Sequence, residues 1–175
     1  MRIIKLAFLT FLMLSTLKNQ GQTTSKELKV GHEFFINVPD YMNKTVGLNS
    51  SASVQFKNVV KDVAGFVIED SKEDLKLAET NFSSINEYYD YFIKDFLKDE
   101  QNRTISTPNT FKKGDNNFLE IDASFSDKDS KIGIYYYVCV VETKNYYYKV
   151  LCWSSLENKD KFKKDFQKIA YSLRD

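Results

Sequence analysis

Residues 132–141 read IGIYYYVCVV, and four residues later 146–153 read YYYKVLCW. The first run is apolar at odd and even positions alike, so a strand built from it shows apolar side chains on both faces. Such a strand has to be covered on both sides, which places it centrally in its sheet. With Lys144-Asn145 as the turn, the second run folds back on the first as a hairpin. The rest of the chain has to supply flanking strands and two covering layers.

The flanking elements are legible by period. Phe118 to Phe125 alternates, with Phe118, Glu120, Asp122 and Ser124 on one side and Leu119, Ile121, Ala123 and Phe125 on the other, as a half-buried strand does. Ala52 to Lys57 alternates likewise, Val63 to Glu69 is more continuously apolar, and their short connection pairs them. Glu33 to Val38 reads as a strand stopped by Pro39. A short helix is expected within Ser71 to Ala78. A longer one is expected over Ile85 to Leu97, apolar at 85, 88, 89, 92, 93, 96 and 97, with Ser84 and Glu87 as a capping box. Ser154 and Glu157 predict a second box and a last helix to Leu173, with the stripe Phe162, Phe166, Ile169, Ala170 and Leu173. Asp99 to Asn117 is polar, contains Pro108 and Gly114, and reads as loop with a short strand near Thr104 to Thr107. The expected fold class is α+β, an antiparallel sheet of about six strands sandwiched between helices, in a single domain over 32–175.

Ahead of this domain, Arg2 and Lys5 precede an apolar run from Leu6 to Leu14 broken only by Thr10, and the chain then turns polar. This is the order of a secretory signal peptide, and the run is too short to span a bilayer. We expect a signal peptide over 1–21, cleaved between Gly21 and Gln22, and a flexible polar arm over 22–31. No cysteine lies near the end of the run, so a lipoprotein anchor has no attachment site. The expected location is the periplasm or the exterior, with no integral membrane segment after cleavage. Cleavage removes Arg2, Lys5 and Lys18 from 25 basic residues set against 24 acidic ones. The balanced remainder offers no field for nucleic acid.

Chemistry is sparse. His32 is the sole histidine and precedes the first strand. One histidine and two strand cysteines are too few for a four-ligand zinc site, and a serine nucleophile lacks a base. No phosphate-loop, dinucleotide, zinc-protease or nucleophile-elbow pattern occurs. Asp127 and Asp129 begin a calcium-loop pattern that fails at Lys131 and Ile132. Glu120 and Asp122 share a strand face that belongs to water or to lysines. Asn43, Asn49, Asn81 and Asn102 head glycosylation triplets, usable only in a eukaryotic secretory pathway. Catalytic, cofactor and metal residues are therefore none. Cys139 and Cys152 are a candidate disulfide in an oxidising compartment, or else two buried thiols. With the Lys144-Asn145 turn they lie diagonally, Cβ atoms about 7 Å apart against about 3.8 Å in a disulfide; a shift of register brings them opposite. Tyr146, Tyr147 and Tyr148 are either cross-strand packing or an exposed interaction patch.

The succession FFINVP, SVQFKN, GFVIED, SSINEYYDYFIKDF, FLEIDASF, the aromatic hairpin and a last helix ending SLRD resembles the PsbP-like superfamily, which includes the extrinsic photosystem II protein and bacterial DcrB-type envelope proteins. The resemblance covers 31–175 and rests on element order. It implies an α/β/α sandwich and a mostly non-enzymatic binding or assembly role; photosynthetic function does not follow. Composition and the export junction also resemble secreted proteins of Bacteroidota. The expected function is that of an exported, non-catalytic protein-binding or assembly factor of the bacterial envelope, with an unknown envelope protein as partner. The alternative is a binder of a small apolar or aromatic ligand in a pocket between sheet and helix.

Overall fold

The centre of the fold is the hairpin of Gly133–Glu142 and Tyr146–Ser155. Cys139 stands opposite Val150 and Cys152 opposite Tyr137, the register that a two-residue turn at Lys144-Asn145 imposes. Across that turn the Thr143 N–H donates to the Tyr146 carbonyl at 3.0 Å. The computed structural model describes residues 24–30 and 34–175, and Lys29 and Val30 through their backbone alone. In chain order its elements are β1 Ser25–Val30, β2 Phe34–Pro39, β3 Asn43–Lys44, β4 Val54–Asn58, β5 Val63–Ser71, α1 Lys72–Leu77, α2 Ile85–Ile93, β6 Gln101–Ile105, β7 Asn109–Lys113, β8 Asn116–Ser126, β9 Gly133–Glu142, β10 Tyr146–Ser155, a 3₁₀ turn at Leu156–Asn158 and α3 Lys159–Tyr171. The main sheet is antiparallel, in the order β3-β4-β5-β10-β9-β8-β6, with β7 also against β8.

Strand β9 sits inside the sheet, and its two faces feed two cores. Tyr135, Tyr137, Cys139 and Val141 pack with Tyr148, Val150 and Cys152 of β10 beneath Phe162, Phe166 and Ile169 of α3 and Phe34, Ile36 and Val38 of β2. Val138 and Val140 join Tyr147 and Leu151 of β10 beneath Ile85, Tyr88 and Tyr89 of α2. The helical stripes therefore lie on opposite faces of one sheet, and an α+β sandwich results.

Several boundaries differ from expectation. The main sheet has eight strands rather than six. β6 and β7 fall inside the stretch read as loop because their side chains are almost all exposed, and an edge strand in water shows no apolar alternation. They lie in line along one side of β8, with Pro108 in the gap. The polar segment expected as an arm instead supplies β1, which pairs with β2 from Ser25–Pro39 to Val30–Phe34. The far side of β2 is held by the chain's end. The Phe35 N–H donates to the Arg174 carbonyl at 2.7 Å, and the Arg174 N–H to the Phe35 carbonyl at 3.1 Å. Helix α2 stops at Ile93, and the turns that follow include Leu97 in the left-handed region, φ 57°. Ser84 caps α2 as expected, while Glu87 reaches the Ser83 N–H rather than that of Ser84. The second capping box does not form. Ser154 stays buried in β10 and donates to the Ser155 carbonyl, and the 3₁₀ turn delays α3 to Lys159.

Candidate functional site

The hairpin tyrosines are packing, not an exposed patch. Tyr147 is 2% and Tyr148 0% exposed, and Tyr146 is half-buried. Because the strand is apolar on both faces and both faces are covered, alternate rings enter alternate cores. Tyr147 stacks on Tyr88 of α2 at 4.3 Å, and Tyr148 packs on Phe34 of β2 at 4.9 Å. Burial, with the nearby Glu142 charge, pushes the Tyr147 hydroxyl up to about 12. The possible interaction patch at Tyr146–Tyr148 is thereby corrected.

Cys139 and Cys152 are fully buried free thiols in the diagonal arrangement. Burial pushes both far above the ordinary thiol range, which leaves no thiolate for nucleophilic or redox work. His32 and the 1–21 segment lie outside the described residues.

Glu120 and Asp122 each accept several hydrogen bonds. They project from β8 toward α3, whose residues 159, 163, 167 and 171 form one stripe at a spacing of four. Lys159 and Lys163 donate to Asp122 Oδ2 at 2.9 and 2.7 Å, and the Tyr135 hydroxyl donates to Oδ1 at 2.7 Å. Glu120 Oε2 accepts the Tyr137 hydroxyl at 2.7 Å, the Tyr171 hydroxyl and the Gln167 amide, and Oε1 accepts Asn109 Nδ2. Burial opposes ionisation of both groups. For Glu120 the hydrogen bonds from Tyr171, Tyr137, Asn109 and Gln167 outweigh it, and for Asp122 those from Lys163, Lys159 and Tyr135 do. Both carboxyls are held below the usual range. With every carboxylate oxygen engaged, the pair clasps the helix. The residues on the helix side escaped the sequence reading, although the polar 159-163-167-171 stripe beside the apolar one was its visible sign.

Tyrosine–carboxylate pairing recurs. Tyr41 donates to Asp165 at 2.9 Å, and Tyr88 donates to Asp70, which also takes Lys149 at 2.7 Å. Asp127 turns its carboxylate inward, accepting the N–H groups of Asp129 and Ser130 and the Ser130 hydroxyl. Among the described residues no group of three or more potential ligands converges on a metal position.

Two cavities stand out among the described residues, and both are open to solvent. One, of about 360 Å³ near the β9–β10 turn, is lined by Asp115, Asn116, Asn117, Glu142, Thr143 and Asp175. Its Glu142 is engaged by Lys72 at 2.9 Å and by Asn117. The other, of about 240 Å³, lies between β6, β8 and the start of α3. Neither is the enclosed apolar pocket between sheet and helix that a hydrophobic ligand requires.

The opposite end of the sheet exposes apolar side chains. Val59 and Val60, 77% and 96% exposed, form the β4–β5 turn, and Ile132 and Leu156 are exposed at the near ends of β9 and β10. Register brings them together: Asn58 pairs with Val63, Val63 with Ser154, and Ser155 with Ile134. A turn ordinarily takes Gly, Asn or Asp, so two valines here have no basis in turn chemistry.

No family model matches the chain, and no curated protein matches it. Its fold is similar to that of cyanobacterial PsbP (CyanoP) from Synechocystis sp. PCC 6803, with TM-score 0.62 and 11% identity, covering 92% of this chain and 98% of that one. It is also similar to LpqN, involved in cell envelope biogenesis of Mycobacterium tuberculosis, with TM-score 0.56 and 10% identity over 86% and 89% of the two chains. At such identities the likeness concerns the fold, which is the PsbP-like α+β sandwich. Among the described residues no helix is long and apolar enough to cross a membrane.

Proposed function

We propose that this chain is an exported, non-catalytic factor of the bacterial envelope that binds another protein or stabilises an assembly. The observation that carries the reading is the apolar sheet end. Val59, Val60, Ile132 and Leu156 stand in water at adjacent chain reversals, while the groups with chemical potential are engaged inside the fold. Exposed apolar side chains gathered in one place are the mark of a contact surface. The similarity of fold to a protein involved in cell envelope biogenesis supports the same setting. Export itself rests on the 1–21 segment, and amino-terminal sequencing of the secreted protein is expected to begin at Gln22.

Crosslinking in intact cells followed by mass spectrometry tests the role. A reproducible envelope partner is expected, and its yield drops when Val59 and Val60 are both replaced by Asp. Absence of any reproducible partner overturns the proposal.

A further inference from the structure

We propose that the outer edge of β1 pairs with the same edge of a second copy of this chain, joining the β1–β2 hairpins of both copies into one continuous antiparallel sheet. An open sheet edge is a template for another strand, and proteins ordinarily block it. The other edges of this fold are blocked. β3 is two residues long, and β6 is broken in register between Gln101 and Thr104, with Asn102 at φ 53°. Pro108 separates β6 from β7, which ends in Lys112 and Lys113. The far side of β2 is taken by Ser172 and Arg174. β1 instead runs through six successive pairs with β2, without proline or bulge. Among the described residues no strand lies along its outer side.

The backbone decides which residues face outward. In an antiparallel ladder, alternate residues turn both N–H and C=O toward the same neighbour. The Thr24 carbonyl accepts the Asp40 N–H at 3.0 Å, so the even-numbered residues of β1 bond to β2. On β2 the odd-numbered Phe35 and Asn37 turn the other way, to Arg174 and Ser172, as the same alternation demands. Ser25, Glu27 and Lys29 therefore present their N–H and C=O groups to the open edge. A two-fold axis sets identical edges antiparallel, and odd residues then meet odd residues in the hydrogen-bonded pairs. Charge selects the register. An axis centred on Lys26, Glu27 or Lys29 sets like charges opposite each other, which repel across strands. Leu28 is the uncharged residue among these four, and an axis centred there places each Glu27 opposite Lys29 of the second copy. Those pairs exchange both N–H···O bonds. Leu28, half-buried against the core, then stands opposite its own counterpart, and Lys26 stands opposite Val30. Arg174 engages Oε2 of Glu27, which leaves Oε1 for the second copy.

Sedimentation velocity of the secreted protein over a range of concentrations tests this. The mass should rise from one chain to two, with fast exchange, because a single strand pair is a small interface. Glu27→Lys and Lys29→Glu should each weaken the dimer about tenfold, since either change turns both attractive cross-strand pairs repulsive. Combining the two changes should restore it, a recovery that mere damage to the hairpin would not give. Glu27→Pro removes an outward N–H that β2 does not use, and should abolish dimerisation at an unchanged thermal midpoint. The Glu27–Arg174 ion pair lost with it is exposed on both sides and adds little to stability. Oxidation should link Leu28→Cys chains to one another while Glu27→Cys chains stay single, since only directly opposed positions come within disulfide reach. The chain carrying both Val59→Asp and Val60→Asp should dimerise like the parent, so that this contact and the one at the apolar sheet end fail separately. A single-chain mass up to millimolar concentration, dimerisation that survives Glu27→Pro, or no recovery in the charge exchange overturns the proposal. So does linking at residue 27 in preference to 28, or a dimer lost with Val59 and Val60.

Discussion

A methyl group added at residue 65 would meet Phe56 Cε2 at 2.5 Å, Cys152 Sγ at 2.8 Å and the Leu151 carbonyl oxygen at 2.9 Å. Two of these neighbours belong to the strand paired with β5 in the middle of the sheet, so none can retreat cheaply. Gly65→Ala is expected to cost about 1–3 kcal/mol through overpacking, read as a lower denaturant midpoint at unchanged slope. The same crowding explains the inertness of Cys152. In the folded protein neither cysteine should react with a thiol reagent, and both should label once the unreduced protein is denatured. No labelling after denaturation would show a disulfide in place of the two free thiols. The diagonal placement behind this expectation was legible from the sequence, because one two-residue turn sets the register of the whole hairpin. The fate of the tyrosines was not legible. Whether Tyr146–Tyr148 face water depends on what α2 and β2 bring over them, and those contacts join residues distant in the chain.

Among the elements, α3 shows how two stripes divide the work. Phe162, Phe166 and Ile169 bury apolar area, while Lys159, Lys163, Gln167 and Tyr171 fasten the helix to Asp122 and Glu120. The apolar stripe was visible in the sequence and placed the helix correctly. The polar stripe gave a weaker signal, since lysines on a helix ordinarily face solvent and only the sheet reveals their partners. Strand β7 was missed, and β6 was caught only through the short strand expected near Thr104 to Thr107, for a related reason: an exposed edge leaves no alternation to read. The clasp makes a pH prediction with a definite sign. The folded carboxyls of Glu120 and Asp122 lie below their ordinary values. Their contribution is therefore full above the unfolded values, about 4, and is lost as pH falls through the lower folded values. Stability measured by urea unfolding should be level near neutrality and decline in acid. Glu120→Gln should flatten that decline while lowering stability at pH 7. An unchanged acid profile in this variant would place the acid-sensitive groups elsewhere, with Glu142 the next to test.

On the scale of the molecule, the structure is three layers fastened by residues 172–175. Arg174 pairs with Phe35, the Asn37 N–H donates to the Ser172 hydroxyl at 2.8 Å, and Asp175 accepts the Thr143 hydroxyl at 2.6 Å. Leu173 is buried among them. Removing residues 172–175 deletes all of these at once. The β1–β2 hairpin is then expected to be cut by protease at concentrations that leave the intact protein whole, with the thermal midpoint lowered by several degrees, about 2–4 °C for each kcal/mol lost in a chain of this size. The two-residue pairing of Phe35 with Arg174 also imposes an order in time. The β1–β2 hairpin lacks this backbone anchor until residues 172–175 have been made.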